Sequence, residues 1–64
     1  MKKITGIKDG RRYQFRPTKI YGDYRVILEV MYNGIFKAEN VFVSYDSFEK
    51  AYIKAEKETG IKIN

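Results

Sequence analysis

A chain of 64 residues is long enough for one small domain only. A domain of this size buries about 60% of the surface that its unfolded chain exposes. It contains neither Cys nor His, which excludes disulfide and thiolate chemistry, the commonest general base and most zinc, copper and iron sites. The net charge of +5 is unevenly distributed along the chain. Residues 1–25 carry eight Lys or Arg against two Asp, whereas residues 26–64 carry five Lys against six acidic residues. Such a basic segment is typical of a phosphate-binding surface or of a merely solvated basic one.

Residues 11–16 alternate in polarity, which predicts a β-strand. The inward side of this strand carries Tyr13 and Phe15. Its outward side carries three polar residues, Arg12, Gln14 and Arg16.

Turn and proline signals predict where this strand begins and ends. Asp9-Gly10 is typical of a tight turn, which would join the strand to a short one at Lys3–Lys8. Because Pro17 donates no ladder hydrogen bond, we expect the strand to end there and residues 17–23 to form a loop.

A hairpin is centred on Asn33-Gly34, which is a strong turn signal. A two-residue turn would pair Tyr32 with Ile35 and would point two charged residues, Lys37 and Glu39, into the core. Each buried charge would cost several kcal/mol.

A three-residue loop with its glycine in the left-handed conformation avoids this cost. Met31 would then face Ile35, and Glu29 would face Lys37 in a cross-strand pair worth about 0.2–1 kcal/mol. We predict this register, which leaves Asn40 as the one inward polar residue and marks either a second bulge or the edge of the sheet.

Residues 47–59 are predicted to form an amphipathic helix, with Asp46 and Ser47 as candidate N-caps and Gly60 as the left-handed C-cap. The residues of its apolar stripe follow the i, i+3, i+4, i+7 spacing and are Phe48, Ala51, Tyr52 and Ala55. The tail at 61–64 alternates, so it would pair with a strand or fray.

Together these elements predict an α+β fold in a single domain spanning residues 1–64. Three antiparallel strands lie within about residues 3–45, and a fourth is added if residues 3–8 form one. The C-terminal helix packs on one face of the sheet and leaves the other face exposed.

The sequence does not favour an enzyme. No pair of carboxylates has a spacing that brings the two together, Ser44 and Ser47 have no His partner, and no glycine-rich phosphate loop is present. We expect no catalytic residue, no cofactor, no metal and no small-molecule substrate. Neither a membrane span nor a signal peptide is expected, which favours a soluble cytoplasmic protein.

The outward face of the sheet is the candidate functional surface. Arg can pair with guanine and Gln with adenine, and a sheet can enter the major groove of DNA. Arg11 and Lys19 would contact phosphates around it. The predicted nucleic-acid-binding residues are Arg11, Arg12, Gln14, Arg16, Lys19, Arg25 and Lys37. Glu29 and Glu39 on the same predicted face would repel phosphate and favour a merely solvated surface.

A protein partner is the alternative. Ile27, Met31 and Ile35 would form an exposed apolar patch on the predicted outward face, which suits a non-enzymatic interaction module, a modulator of a host protein or a homodimer. RNA binding is a further variant, in which exposed tyrosines stack on single-stranded bases. The candidate tyrosines are Tyr13, Tyr21 and Tyr24.

Residues 41–52 resemble the junction between the last strand and the helix of AP2-like DNA-binding domains. The matching pattern is an aromatic, an acidic residue, Ser or Thr, any residue, two charged residues and Ala, here Tyr45 to Ala51. The resemblance covers about residues 11–58 and extends to the arm-binding domains of some phage and transposon tyrosine recombinases. It implies that the exposed sheet face enters the major groove, in a protein of phage or mobile-element type.

Overall fold

The computed structural model describes residues 3–62, which form one antiparallel sheet and a helix. The elements in chain order are β1 (Ile4–Lys8), β2 (Arg11–Ile20), β3 (Asp23–Tyr32), β4 (Ile35–Ser44) and α1 (Phe48–Thr59). The strands are neighbours in the order β1-β2-β3-β4, and α1 packs on one face. The predicted α+β fold is confirmed, and β1 is its fourth strand.

Each connection between the strands is a two-residue turn in which both residues have positive φ. This is the pattern of a type I′ turn, whose twist matches that of the flanking strands. The φ angles are 54° and 77° at Asp9-Gly10, 49° and 86° at Tyr21-Gly22, and 50° and 82° at Asn33-Gly34. Two of these turns follow from Asp-Gly and Asn-Gly signals, whereas the Tyr-Gly turn was not predicted.

The predicted loop at residues 17–23 is wrong, because β2 continues through Pro17 to Ile20. The register shows why the proline is tolerated. β1 begins at Ile4, which pairs with Phe15, so among residues 3–62 the part of β2 that follows Phe15 pairs with β3 alone. Pro17 therefore lies in an edge segment, where a missing N–H is compatible with a strand.

The predicted three-residue loop between β3 and β4 is also wrong, since Tyr32 pairs with Ile35. Glu29 pairs with Ala38 and Leu28 with Asn40, so Glu39 between them is the extra residue of a β-bulge. The bulge places Phe42 on the core side of the sheet, opposite Val26.

The energy penalty that disfavoured the two-residue turn does not arise in this register. Lys37 pairs with Val30 on the α1 side of the sheet, yet its side chain stays exposed to water. Glu39 is also exposed, and its carboxylate accepts a 2.7 Å hydrogen bond from the Tyr32 hydroxyl. This hydrogen bond is the main reason that the pKa of Tyr32 is raised.

The core lies between α1 and the three strands from β2 to β4. Its buried hydrophobic residues are Phe15, Val26, Leu28, Phe42, Ala51, Tyr52 and Ala55. The ring centroids of Phe15 and Tyr52 lie 6.3 Å apart in an edge-to-face contact, and the two alanines let the helix approach the sheet closely. The predicted apolar stripe is confirmed, with Phe48 partly buried at its beginning.

Both ends of α1 have the predicted caps. The Ser47 hydroxyl accepts a 3.2 Å hydrogen bond from the Lys50 amide, and Gly60 has a φ of 75°. At the C-terminal end, the Lys8 ammonium donates a 2.8 Å hydrogen bond to the Thr59 carbonyl and ties the helix to β1. Ile61 then packs against the core rather than in a strand, and residues 63–64 of the predicted tail lie outside the described residues.

Candidate nucleic-acid interface

The face of the sheet opposite α1, which we call the open face, has two chemically different halves. Successive side chains of a strand point to opposite faces of the sheet. Because Phe15 and Val26 are buried against α1, the residues before and after each of them in the sequence point to the open face. The polar half, called the basic row, consists of Arg12, Gln14, Arg16 and Arg25. The apolar half, called the apolar band, consists of Ile27, Met31, Phe36, Ala38, Val41 and Val43.

Glu29 is the centre of a hydrogen-bond cluster on the open face. It pairs with Gln14 across β2 and β3, and the Gln14 amide donates to its carboxylate at 2.5 Å. The Arg16 Nε lies 3.4 Å from both carboxylate oxygens, and Arg16 Nη2 lies 3.3 Å from Oε2. One carboxylate thus engages two residues of the basic row.

The pKa of Glu29 is lowered, so this carboxylate is ionised at neutral pH. Partial burial is the largest single effect and raises the pKa, but the hydrogen bonds from Gln14 and Arg16 and the positive charges of Arg16 and Lys3 together outweigh it. The side chain of Glu29 is 13% exposed, compared with 40% for Arg16. A negative charge therefore lies close to the centre of a basic surface.

The two other arginines of the basic row differ in their partners. Arg25 Nη2 contacts Asp23 Oδ2 at 3.2 Å, whereas Arg25 Nε is buried without a hydrogen-bond partner. Arg12 is exposed and makes no ion pair with any side chain of residues 3–62. Arg12 is therefore the arginine of this row that is most available to a ligand.

Three of the predicted nucleic-acid-binding residues lie on the α1 side of the sheet. The Arg11 guanidinium lies 4.5 Å from the centre of the Tyr32 ring, and the Lys19 ammonium lies 4.5 Å from that of Tyr24. Lys37 is the third and pairs with Val30. The structure therefore separates Arg11, Lys19 and Lys37 from the basic row.

The apolar patch of the structure differs from the predicted one, which consisted of Ile27, Met31 and Ile35. Ile35 pairs with Tyr32 and lies on the α1 side, so it does not join Ile27 and Met31. Phe36 takes its place beside Met31, and the bulge at Glu39 adds Val41 and Val43. Sequence reasoning missed Phe36 and Ala38 because their face depends on the turn, and the isolated polar Asn40 was the one signal of an irregularity in β4.

β4 is an edge strand of the sheet that residues 3–62 form, and two side chains make hydrogen bonds to its backbone. The side-chain Oδ1 of Asn40 accepts a 2.8 Å hydrogen bond from the Val41 amide, and the Lys54 ammonium donates at 2.8 Å to the Val43 carbonyl. Such contacts reduce the capacity of an edge strand to pair with another chain. An intermolecular contact on β4 is thus better placed on the apolar band than on the strand edge.

The α1 side of the sheet has a cleft of about 500 Å³ beyond the C-terminal end of the helix. The apolar part of the cleft is lined by Tyr13, Leu28, Val30 and Ile61, and its charged part by Lys8, Asp9, Arg11 and Glu39.

Among residues 3–62, no three His, Cys, Asp or Glu side chains are grouped so as to hold a metal ion. The same part of the chain has no helix with the length and apolarity needed to cross a bilayer.

Comparison with protein-family models, with curated protein sequences and with solved structures finds no match to this chain. The chemistry of the open face is therefore the basis for a functional assignment.

Proposed function

We propose that this protein binds duplex DNA through its open face. The observation that carries the proposal is that three of the four arginines of the chain, Arg12, Arg16 and Arg25, lie with Gln14 on one face of two adjacent strands. The major groove, about 12 Å wide, admits a two-stranded β-ribbon, and Arg and Gln are the side chains that pair with guanine and adenine.

The resemblance to AP2-like domains supports the same docking. The order of β2, β3, β4 and α1 is the order of elements that the resemblance implies, with the open face toward DNA. It also favours a role in the cytoplasm on the DNA of a phage or mobile element. The proposed role is binding, without catalysis or a cofactor.

The proposal can be tested by titrating a fluorescent random-sequence duplex at low and moderate salt. Wild-type protein is expected to bind with at least micromolar affinity at low salt and to weaken steeply as salt increases, because phosphate contacts release counterions. The variant Arg12→Gln/Arg25→Gln should bind at least about tenfold more weakly and show a salt slope smaller by about 2.

The matched control is Lys19→Gln/Lys37→Gln, which removes the same charge from the α1 side of the sheet. This control should keep most of the affinity, and both variants should unfold cooperatively on heating. Absence of wild-type binding at low salt, or equal loss of binding in both variants, would contradict the proposed use of the open face.

A protein partner is the second candidate function, and the apolar band is the observation that favours it. Six apolar side chains of β3 and β4 lie side by side without a covering element in residues 3–62, and Ala38 and Val41 among them are exposed. Contiguous apolar surface of this kind is typical of protein interaction sites. A second copy of the chain is the partner that can be tested directly.

A further inference from the structure

We infer that Glu29 restricts DNA binding by holding Arg16 and Gln14 away from phosphate, so that the centre of the open face favours base edges over the DNA backbone. The inference rests on the proposed DNA-binding function and assigns Glu29 a positioning role within that surface.

The position of Glu29 is the first support. β3 is an inner strand, and Glu29 lies opposite Gln14 with Arg16 as its diagonal neighbour. Three donor nitrogens, Gln14 Nε2, Arg16 Nε and Arg16 Nη2, lie within 3.4 Å of its two carboxylate oxygens. The two side chains best placed to contact DNA at the centre of the face are therefore already engaged.

The sign of the charge is the second support. A phosphate that approaches Arg16 must compete with the carboxylate for the guanidinium, and it is repelled by the same carboxylate. A base edge meets no such repulsion, because it presents neutral donors and acceptors, and the cytosine amino group can donate to a carboxylate. Glu29 therefore penalises contacts with the backbone more than contacts with bases.

Arg12 provides the internal contrast. It lies on the same face at the other end of the basic row, and no carboxylate of residues 3–62 pairs with it. Phosphate contacts are thus expected at Arg12 rather than at Arg16. If instead Glu29 only stabilises the sheet, its removal will change the stability of the protein without changing its affinity for DNA.

The test compares Glu29→Gln with Glu58→Gln, which removes the same charge from an exposed position of α1. Glutamine keeps an oxygen that can accept from Gln14 or Arg16, so the sheet should remain folded, as circular dichroism will show. With a random-sequence duplex at low salt, Glu29→Gln should bind about tenfold more tightly than Glu58→Gln. Its salt slope should be steeper by about 1, because Arg16 gains a phosphate contact.

Each outcome is decisive for one of the two claims. Equal affinity and equal salt slope for the two variants, with wild-type protein binding the duplex, would overturn the role of Glu29 and leave the proposed function standing. Failure of wild type and both variants to bind at low salt would overturn the proposed function itself. If Glu29→Gln unfolds, Arg16→Gln and Arg12→Gln are compared instead. Arg16→Gln should leave the salt slope of the wild-type protein unchanged and Arg12→Gln should lower it by about 1, and an equal decrease in both would contradict the inference.

Discussion

Among the first residues of the three turns, Tyr21 between β2 and β3 is the residue type least suited to positive φ. Asp9 and Asn33 occupy the equivalent position of the other two turns, and their side chains tolerate positive φ. Tyr21 has a φ of 49°, which is an uncommon backbone conformation for a bulky residue, and its side chain is fully exposed, so no packing contact compensates for this conformation. The stability of the folded protein therefore does not explain why a tyrosine occupies this position.

We predict that Tyr21→Asn stabilises the protein by about 0.5–1 kcal/mol, because asparagine adopts the left-handed conformation at lower cost. Chemical denaturation of wild type and variant gives the free energy of unfolding directly. Tyr45→Asn, a change of another exposed tyrosine outside the turns, is the control and should leave it nearly unchanged. A loss of stability in Tyr21→Asn would show that Tyr21 makes a favourable interaction that its exposure conceals.

At the scale of elements, the bulge in β4 reconciles two constraints that a regular strand could not meet together. The Asn33-Gly34 turn fixes the pairing of Tyr32 with Ile35, and the core requires Phe42 opposite Val26. A continuous strand with this turn would place Phe42 on the open face, because a shift of one residue exchanges the two faces. The extra residue Glu39 restores the correct side.

This interpretation predicts that deletion of Glu39 is tolerated. Glu29–Ala38 and Leu28–Asn40 become consecutive pairs of a regular ladder, so the core should be kept at a cost of about 1 kcal/mol for the lost Tyr32 hydrogen bond. Thermal unfolding followed by circular dichroism is the measurement. Deletion of Ile27 from β3, which has no extra residue, should abolish cooperative unfolding, and equal damage from both deletions would contradict the register.

At the scale of the whole molecule, one face of the sheet is covered by α1 and the other presents charge and apolar surface side by side. The basic row favours nucleic acid, whereas the apolar band favours a protein surface. The two halves consist of different residues, so they can be altered separately by substitution. This separation allows the second candidate function to be tested without disturbing the first.

If the apolar band joins two copies of the chain, sedimentation velocity should show a dimer that increases with protein concentration. Val41 is 44% exposed at the centre of this band, and Val41→Glu should yield a monomer because it buries a charge in the contact. Ile53→Glu, on an exposed part of α1, is the matched control and should dimerise like wild type. A wild-type protein that stays monomeric at all concentrations would contradict self-association.

The amino-acid sequence alone is enough to predict the features that depend on near neighbours in the chain. Ser47, Gly60 and the apolar spacing between them defined α1, because capping and helical periodicity are local. The alternation within each strand likewise placed Arg12, Gln14, Arg16 and Arg25 on one side, since neighbouring positions of a strand face opposite ways.

Other features follow only from the three-dimensional arrangement, because they depend on which strands are neighbours. Whether Pro17 interrupts β2 depends on the extent of β1, which in the described part of the chain pairs with β2 only as far as Phe15. Whether Ile35 and Lys37 belong to the open face depends on the turn and on the bulge at Glu39. No local preference contains this information, because the free energy of burial is set by contacts between residues distant in the chain.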